Sequence, residues 1–130
     1  MVARREGADP GRDAAYRRGL FGETLAAWLY RAKFHRVLAR RYKTPAGEID
    51  LIVRRGRTIV FVEVKHRPTS GEALEAIGPI SRRRITRAAE LWLAAHPDAA
   101  GFDLRFDLVI VVPGRLPRHI PSVFDAEGRS

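Results

Sequence analysis

The stretch Thr58–Lys65 (TIVFVEVK) constrains the fold more than any other part of the chain. It is apolar on both faces, so both faces must be covered, which places it in the middle of a sheet with helices on either side. A second run of this kind, Arg105–Val112 (RFDLVIVV), follows a segment in which Ile85, Ala88, Ala89 and Trp92 fall at helical spacing. Strand, helix and strand in that order make a right-handed crossover between two parallel strands. Upstream, Glu48–Arg54 reads as a strand, joined to Thr58 by a hairpin connection at Arg54-Arg55-Gly56-Arg57. Phe34–Tyr42 reads as a further strand, followed by a turn at Thr44-Pro45-Ala46-Gly47, and His119–Phe124 as a last edge strand carrying Pro121.

Ahead of these strands, Asp13–Ala32 has helical periodicity with Asp13 as N-cap. Phe21, Leu25, Trp28 and Ala32 make one apolar stripe, Leu20, Ala27 and Tyr30 a second, and Glu23 falls within the second. Trp28 and Trp92 both sit on apolar stripes and are assigned to the core. Gly71–Gly78 reads as the start of a short helical piece, and Pro79 fits the first turn of the next helix, or Ser81 its N-cap. The order is α-β-β-β-α-β-β, an α/β chain with a mixed central sheet flanked by helices. Residues 1–12 read as a flexible arm and 13–130 as a single domain.

A chain of 130 residues buries enough surface to fold without staples. The absence of cysteine excludes a disulfide framework, a thiolate metal site and cysteine nucleophile chemistry. No apolar run approaches the roughly 20 residues of a membrane span, so no membrane partner is expected. Met1–Arg18 has neither the apolar region nor the cleavage pattern of a secretory signal, which makes the cytoplasm the expected location.

The net charge of +9 calls for a polyanion, nucleic acid first and an anionic membrane surface second. Twenty-one of the 24 bases are Arg, a skew that genome composition alone can produce, so position is more informative than number. Between Arg31 and Arg67 stand eleven bases and three acids, whereas Gly71–Asp107 is close to neutral. The three acids are Glu48, Asp50 and Glu63, each in or beside an apolar strand. Carboxylates in a region otherwise swept of negative charge point to chemistry.

Residues two apart on a strand share a face, so Glu48 goes with Asp50 and Glu63 with Lys65. A two-residue loop at Arg55-Gly56 pairs Arg54 with Arg57, hence Asp50 with Phe61 and Glu48 with Glu63, and brings all four polar side chains to one side. A four-residue loop gives the same register, and a three-residue loop would scatter them. Clustered carboxylates repel one another unless a positive charge sits among them. Lys65 supplies one charge, and a hard divalent cation, Mg²⁺ or Mn²⁺, would supply two. Asp50, Glu63 and Glu48 are the candidate ligands, with Glu23 of the first helix behind them. Arg40, Arg41, Lys43 and Arg67 in the basic segment, with Arg82, Arg83 and Arg84 at the start of the second helix, are the candidate phosphate contacts. Such a set suits metal-assisted phosphodiester hydrolysis. Lys65 is one of only three lysines in an arginine-rich chain, and a lysine can deliver a compact charge to a water or phosphate.

Gly22-Glu23, GEIDLI (Gly47–Ile52), FVEVKHR (Phe61–Arg67) and RFDLVIV (Arg105–Val111) resemble the bacterial YraN family over roughly Arg18–Phe124. The resemblance implies a restriction-endonuclease-like fold of the PD-(D/E)xK superfamily, related to archaeal Holliday junction resolvases. It matches Asp50 to the first acid of the D…(D/E)xK pattern, Glu63 to the second, Lys65 to the lysine and Glu23 to the glutamate of the resolvase first helix. The resemblance makes these four the candidate catalytic residues, with Asp50, Glu63 and Glu23 metal-associated and Lys65 placing or activating the water. The implied partner is branched or structured DNA, and symmetric cutting of two strands is compatible with a homodimer. Ser81-Arg82-Arg83-Arg84 departs from the Lys and Gln of the family at the second helix, and an arginine triplet there is compatible with a phosphate contact.

Three competing readings stand beside these. The acids and Lys65 could form a structural ion-pair ladder, with Glu48 bonded to loop backbone and Glu23 a surface glutamate. A nuclease fold can also bind nucleic acid without cleaving it, and a basic face can meet another protein. Asp107 reads as a structural partner of Arg105 or of a backbone group. His35, His66, His96 and His119 show no ligand spacing, and His66 falls on the strand face opposite Lys65.

Overall fold

A computed structural model describes residues 10–67 and 79–124. Helix α1 (Pro10–Ala32) leads into β1 (Arg36–Thr44), β2 (Gly47–Arg55) and β3 (Thr58–His66). Helix α2 (Pro79–Ala95) and a 3₁₀ turn (Pro97–Ala99) precede β4 (Asp103–Val111) and β5 (Arg118–Phe124). The strands form one five-stranded sheet in the order β1-β2-β3-β4-β5, antiparallel except for the parallel β3–β4 pair made by the α2 crossover. The mixed sheet and the element order are those expected from the sequence. Residues 1–9 of the expected arm, and the helical piece placed at Gly71–Gly78, lie outside the described residues; positions 10–12 are helical.

Each sheet face carries its own core. Ile49, Ile52, Ile59, Phe61, Phe106, Leu108 and Ile110 pack with Ile85, Ala88 and Trp92 of α2. Leu51, Val53, Val60, Val62, Val109 and Val111 pack with Ala26, Ala27 and Tyr30 of α1. The double covering is why TIVFVEVK reads as apolar on both faces.

Two expectations for α1 fail. The helix starts at Pro10, so Asp13 stands in its first turn and not at the cap. Of the two stripes, only the one containing Ala27 and Tyr30 is buried, whereas Phe21 is 61% and Trp28 63% exposed. A helix against a sheet can bury only one stripe, and the small Ala26 and Ala27 allow the closer approach. Trp28 instead carries the Arg31 guanidinium 5.5 Å above its ring; Trp92 is buried as expected.

Phe34 was expected to open a strand, yet it lies in the turn before β1. The His35 N–H donates to the Tyr30 carbonyl and the Phe34 N–H to the Arg31 carbonyl, the paired bonds that close a helix on a left-handed residue. Phe34 occupies that left-handed position with φ of 68°. Glycine or asparagine usually fills it, and a residue with a Cβ adds roughly 1–2 kcal/mol of strain.

On the α1 face, Asp107 of β4 is wholly enclosed by donors. Its carboxylate accepts from Tyr30 Oη at 2.6 Å, from Arg105 Nε and Nη2 at 2.9 Å each, from the Ser122 N–H at 3.0 Å and from His119 Nε2 at 2.7 Å. Lys33 Nζ lies 2.7 Å from His119 Nδ1. An ammonium can only donate, so Nδ1 accepts and Nε2 carries the proton directed at Asp107. Burial by itself would raise the Asp107 pKa; the bonds from His119, Arg105, Tyr30 and Ser122 outweigh it and hold the carboxyl well below the usual range. The structural role expected for Asp107, with both Arg105 and a backbone group, is the one it has.

Candidate functional site

The β2–β3 ladder runs from Arg55/Thr58 back to Leu51/Val62 and stops there. Beyond that pair, the Val64 N–H donates to Asp50 Oδ2 at 2.7 Å. A side-chain carboxylate therefore takes the place of a backbone acceptor where the two strands part. The register differs from the sequence expectation. Ile52, not Asp50, lies opposite Phe61, because the strands continue to Arg55 and Thr58 and leave only Gly56-Arg57 in the turn. Continuing the ladder would set Asp50 opposite Glu63. A shift of two positions preserves side-chain parity, so the polar groups still converge.

Glu63 is 5% exposed. Its Oε2 lies 2.9 Å from Lys65 Nζ and 3.1 Å from Arg84 Nη2. The other guanidinium nitrogen, Arg84 Nη1, donates to the Glu48 carbonyl at 3.0 Å. Gly47 makes room for this arm: a Cβ there would sit 2.6 Å from Arg84 Cγ, and the residue has φ of +142°. Arg84, expected to contact phosphate, is thus tied into the carboxylate site. In the sequence Gly47 reads only as part of the turn from Thr44, and nothing local points to Arg84.

Asp50 feels its neighbours strongly. Burial first, then the Glu63 carboxylate and, more weakly, Glu48, push its pKa up to about 7, against the Val64 N–H and Lys65, which pull it down. Asp50 and Glu63 together are a carboxylate pair in which Lys65 and Arg84 both sit on Glu63 and neither bonds Asp50 directly. Among the described residues no group of three or more His, Cys, Asp or Glu side chains gathers to hold a metal. The pair nonetheless fits Mg²⁺ or Mn²⁺, which suits hard oxygen donors and is commonly bound through one or two carboxylates, with water and substrate phosphate completing the shell.

Glu23 is held differently. It is 2% exposed on α1, and its carboxylate receives Arg40 Nε at 2.8 Å and Arg41 Nη1 at 3.4 Å. The second nitrogen of Arg41, Nη2, lies 3.6 Å from Glu48 Oε1, and Lys43 Nζ lies 3.5 Å from Glu48 Oε2. Arg41 therefore stands between the two glutamates as a bridge, helped by a left-handed φ of 51° within β1. The structure brings Asp50, Glu63, Lys65 and Glu48 into electrostatic contact and leaves Glu23 behind the arginine pair.

The other expected basic contacts scatter. Lys43 and Arg83 are exposed, Arg82 is half-buried, and Arg67 donates Nη1 to the His66 carbonyl at 2.7 Å. His66 packs against α1, where a Cβ on Gly22 would lie 2.6 Å from its Nε2. Gly22 thus lets the helix approach the end of β3 and brings Glu23 close to the strands.

Residues 22–111 match the model of a family described as "Uncharacterised protein family UPF0102". This chain belongs to the UPF0102 family. It is 54% identical over 115 residues to a UPF0102 protein of Chelativorans sp. (strain BNC1), covering 88% of this chain and 93% of that one. It is 55% identical over 123 residues to one from Methylorubrum extorquens (strain PA1), covering 93% and 96%. A third, from Rhodopseudomonas palustris (strain HaA2), is 52% identical over 117 residues, covering 90% and 91%. The UPF0102 match includes Glu23, the whole Gly47–Lys65 hairpin and Arg84. Among the described residues no helix is long and apolar enough to cross a membrane.

Proposed function

We propose that this UPF0102 protein is a metal-dependent endonuclease of the PD-(D/E)xK superfamily, acting on branched or structured DNA. The observation that carries the reading is the strand fork. Asp50 lies past the last β2–β3 pair, next to a buried Glu63 whose Oε2 is 2.9 Å from Lys65.

In this reading Asp50 and Glu63 would hold Mg²⁺ or Mn²⁺, which would supply a lowered water pKa and positive charge to offset that developing on the phosphate. The residues of the chain do the rest. Glu63 fixes Lys65, and Lys65 orients the attacking water. Arg84 holds Glu63 against β2 and keeps the carboxylate in place. Exposed bases such as Lys43 and Arg83 receive the flanking phosphates. The water oxygen bonds to phosphorus, one P–O ester bond breaks, and the proton released by the water ends on the departing oxygen.

A second reading is a DNA-binding module that does not cleave. It is favoured by the two cations already on Glu63 Oε2, Lys65 and Arg84, which offset its charge without a metal.

The test is cleavage of labelled linear duplex, single strand, flap and four-way junction at low salt with Mg²⁺ or Mn²⁺, beside Glu63→Ala. Metal-dependent cutting of the branched substrates by wild type and none by the variant is expected. Tight, salt-sensitive binding without cutting would move the assignment to the non-cleaving module. Cutting that survives in Glu63→Ala would remove the site.

A further inference from the structure

Phe34 is 81% exposed and held in a left-handed conformation that glycine would adopt more easily. Retaining a large aromatic ring at such a position serves neither the core nor the turn. Two surface depressions share Phe34 and Arg55. One is completed by Arg36, Arg54 and Gly56, and the other includes Lys33 and Arg105. No carboxylate lines either of them, and Arg36, Arg55 and Lys33 are exposed. The Asp107 carboxylate beneath Arg105 is wholly buried, so solvent meets only the basic groups.

An exposed ring among cations, without acids, has the chemistry of a platform for unpaired nucleotides. The ring stacks on a base, and the guanidinium and ammonium groups take the phosphates on either side. Arg54 of the first depression is four residues along β2 from Asp50, roughly 13 Å at the rise of a strand, and Arg55 and Arg105 of the second lie on the α1 face of the sheet, opposite the Glu63–Arg84 contact.

We infer that Phe34, with Arg36, Arg55 and Lys33, is a second nucleic-acid contact that grips an unpaired strand away from the carboxylate pair, at the Gly56 end of the β2–β3 hairpin. The inference rests on the reading of nucleic acid as substrate. It adds the part of the substrate that duplex DNA does not offer, a single-stranded arm, and separates recognition of that arm from the carboxylate end of the sheet.

The turn itself supplies a discriminating variant. Phe34→Gly removes the ring and relieves the left-handed strain, so a residue with a structural role and one with a binding role give opposite results. The measurement is fluorescence anisotropy in EDTA, where no cutting occurs, with a labelled duplex bearing a ten-nucleotide single-stranded arm and with the same duplex blunt. Wild type is expected to bind the armed duplex more tightly. Phe34→Gly is expected to melt at the wild-type temperature or above it, and to lose roughly 5- to 100-fold in affinity for the armed duplex with little change for the blunt one. Phe34→Trp is expected to restore the preference. Arg36→Ala/Arg55→Ala is expected to weaken binding and flatten its salt dependence. Wild-type binding with the same arm preference in Phe34→Gly would overturn this inference and leave the nuclease reading standing. No DNA binding by wild type would overturn both.

Discussion

Asp50 accepts the Val64 N–H at 2.7 Å beyond the last backbone pair of the two strands that carry them. One carboxylate thus closes the fork and faces Glu63. Asn at this position keeps an oxygen acceptor for Val64 and loses the charge, whereas Ala loses both. Asp50→Ala is expected to cost about 1–3 kcal/mol from the unpaired N–H. Asp50→Asn, which keeps that acceptor, is expected to cost less than Asp50→Ala at the same pH, and both are expected to lose metal-dependent cleavage. Urea denaturation beside the cleavage assay separates the two roles. Equal destabilisation by both variants would show that the hydrogen bond is not what holds the fork.

The raised Asp50 pKa has a thermodynamic consequence. The folded protein keeps a proton on Asp50 up to about pH 7, whereas the unfolded chain releases it near 3.8. Between those values the native state binds more protons, so this group stabilises the fold less as pH rises. His35 and His66 are shifted down, by burial first, and act in the opposite sense below pH 6.5. The difference between wild type and Asp50→Asn cancels them. In EDTA, wild-type stability relative to Asp50→Asn is expected to fall from pH 4.5 to pH 8, read by urea denaturation at each pH. A flat difference would show that Asp50 titrates as an ordinary carboxylate.

Gly47 and Arg84 form a pair whose coupling can be measured. Gly47→Ala meets Arg84 Cγ at 2.6 Å and forces an L-residue to φ of +142°. It is expected to cost roughly 1–3 kcal/mol. Truncating Arg84 removes the clash but not the strain, so in Arg84→Ala the added cost of Gly47→Ala is expected to be smaller. A double-mutant cycle by thermal denaturation reads the coupling, and strict additivity would mean that Arg84 does not lie against Gly47.

Asp107 holds the other face together. Removing its carboxylate leaves the charge of Arg105 without its partner, and Asp107→Ala is expected to destabilise by roughly 3–5 kcal/mol. The depressed pKa means that its contribution is present above about pH 4 and is lost as pH falls below the ordinary carboxylate value. The acid limb of the stability profile is therefore expected to shrink in Asp107→Asn. An unchanged acid limb would assign acid unfolding to other carboxylates.

Most of the architecture was legible because burial leaves periodicity. TIVFVEVK and RFDLVIVV could only be central strands, and the spacing from Ile85 to Trp92 could only be a helix against them. The gathering of Asp50, Glu63 and Lys65 was legible because acids are conspicuous in a basic segment and residues two apart on a strand share a face. What escaped was set by tertiary packing. Both stripes of α1 are apolar, and nothing local says which one meets the sheet, so Trp28 was placed in the core. The hairpin register depended on one turn and came out two positions away. The link between Arg84 and Glu63 spans 21 residues and two elements, and the enclosure of Asp107 by Tyr30 and His119 spans the length of the domain. Such long-range pairs leave no local pattern.

The most direct test of the carboxylate pair as a cation site is calorimetric titration of Mn²⁺ into wild type and Asp50→Asn at pH 6.5, repeated in two buffers of different ionisation enthalpy. Wild type is expected to bind one equivalent and to release protons on binding, because a ligand with a pKa near 7 must ionise. Asp50→Asn, shown to be folded, is expected to bind neither as tightly nor with proton release. Identical isotherms for the two proteins, or no binding by wild type, would contradict the assignment.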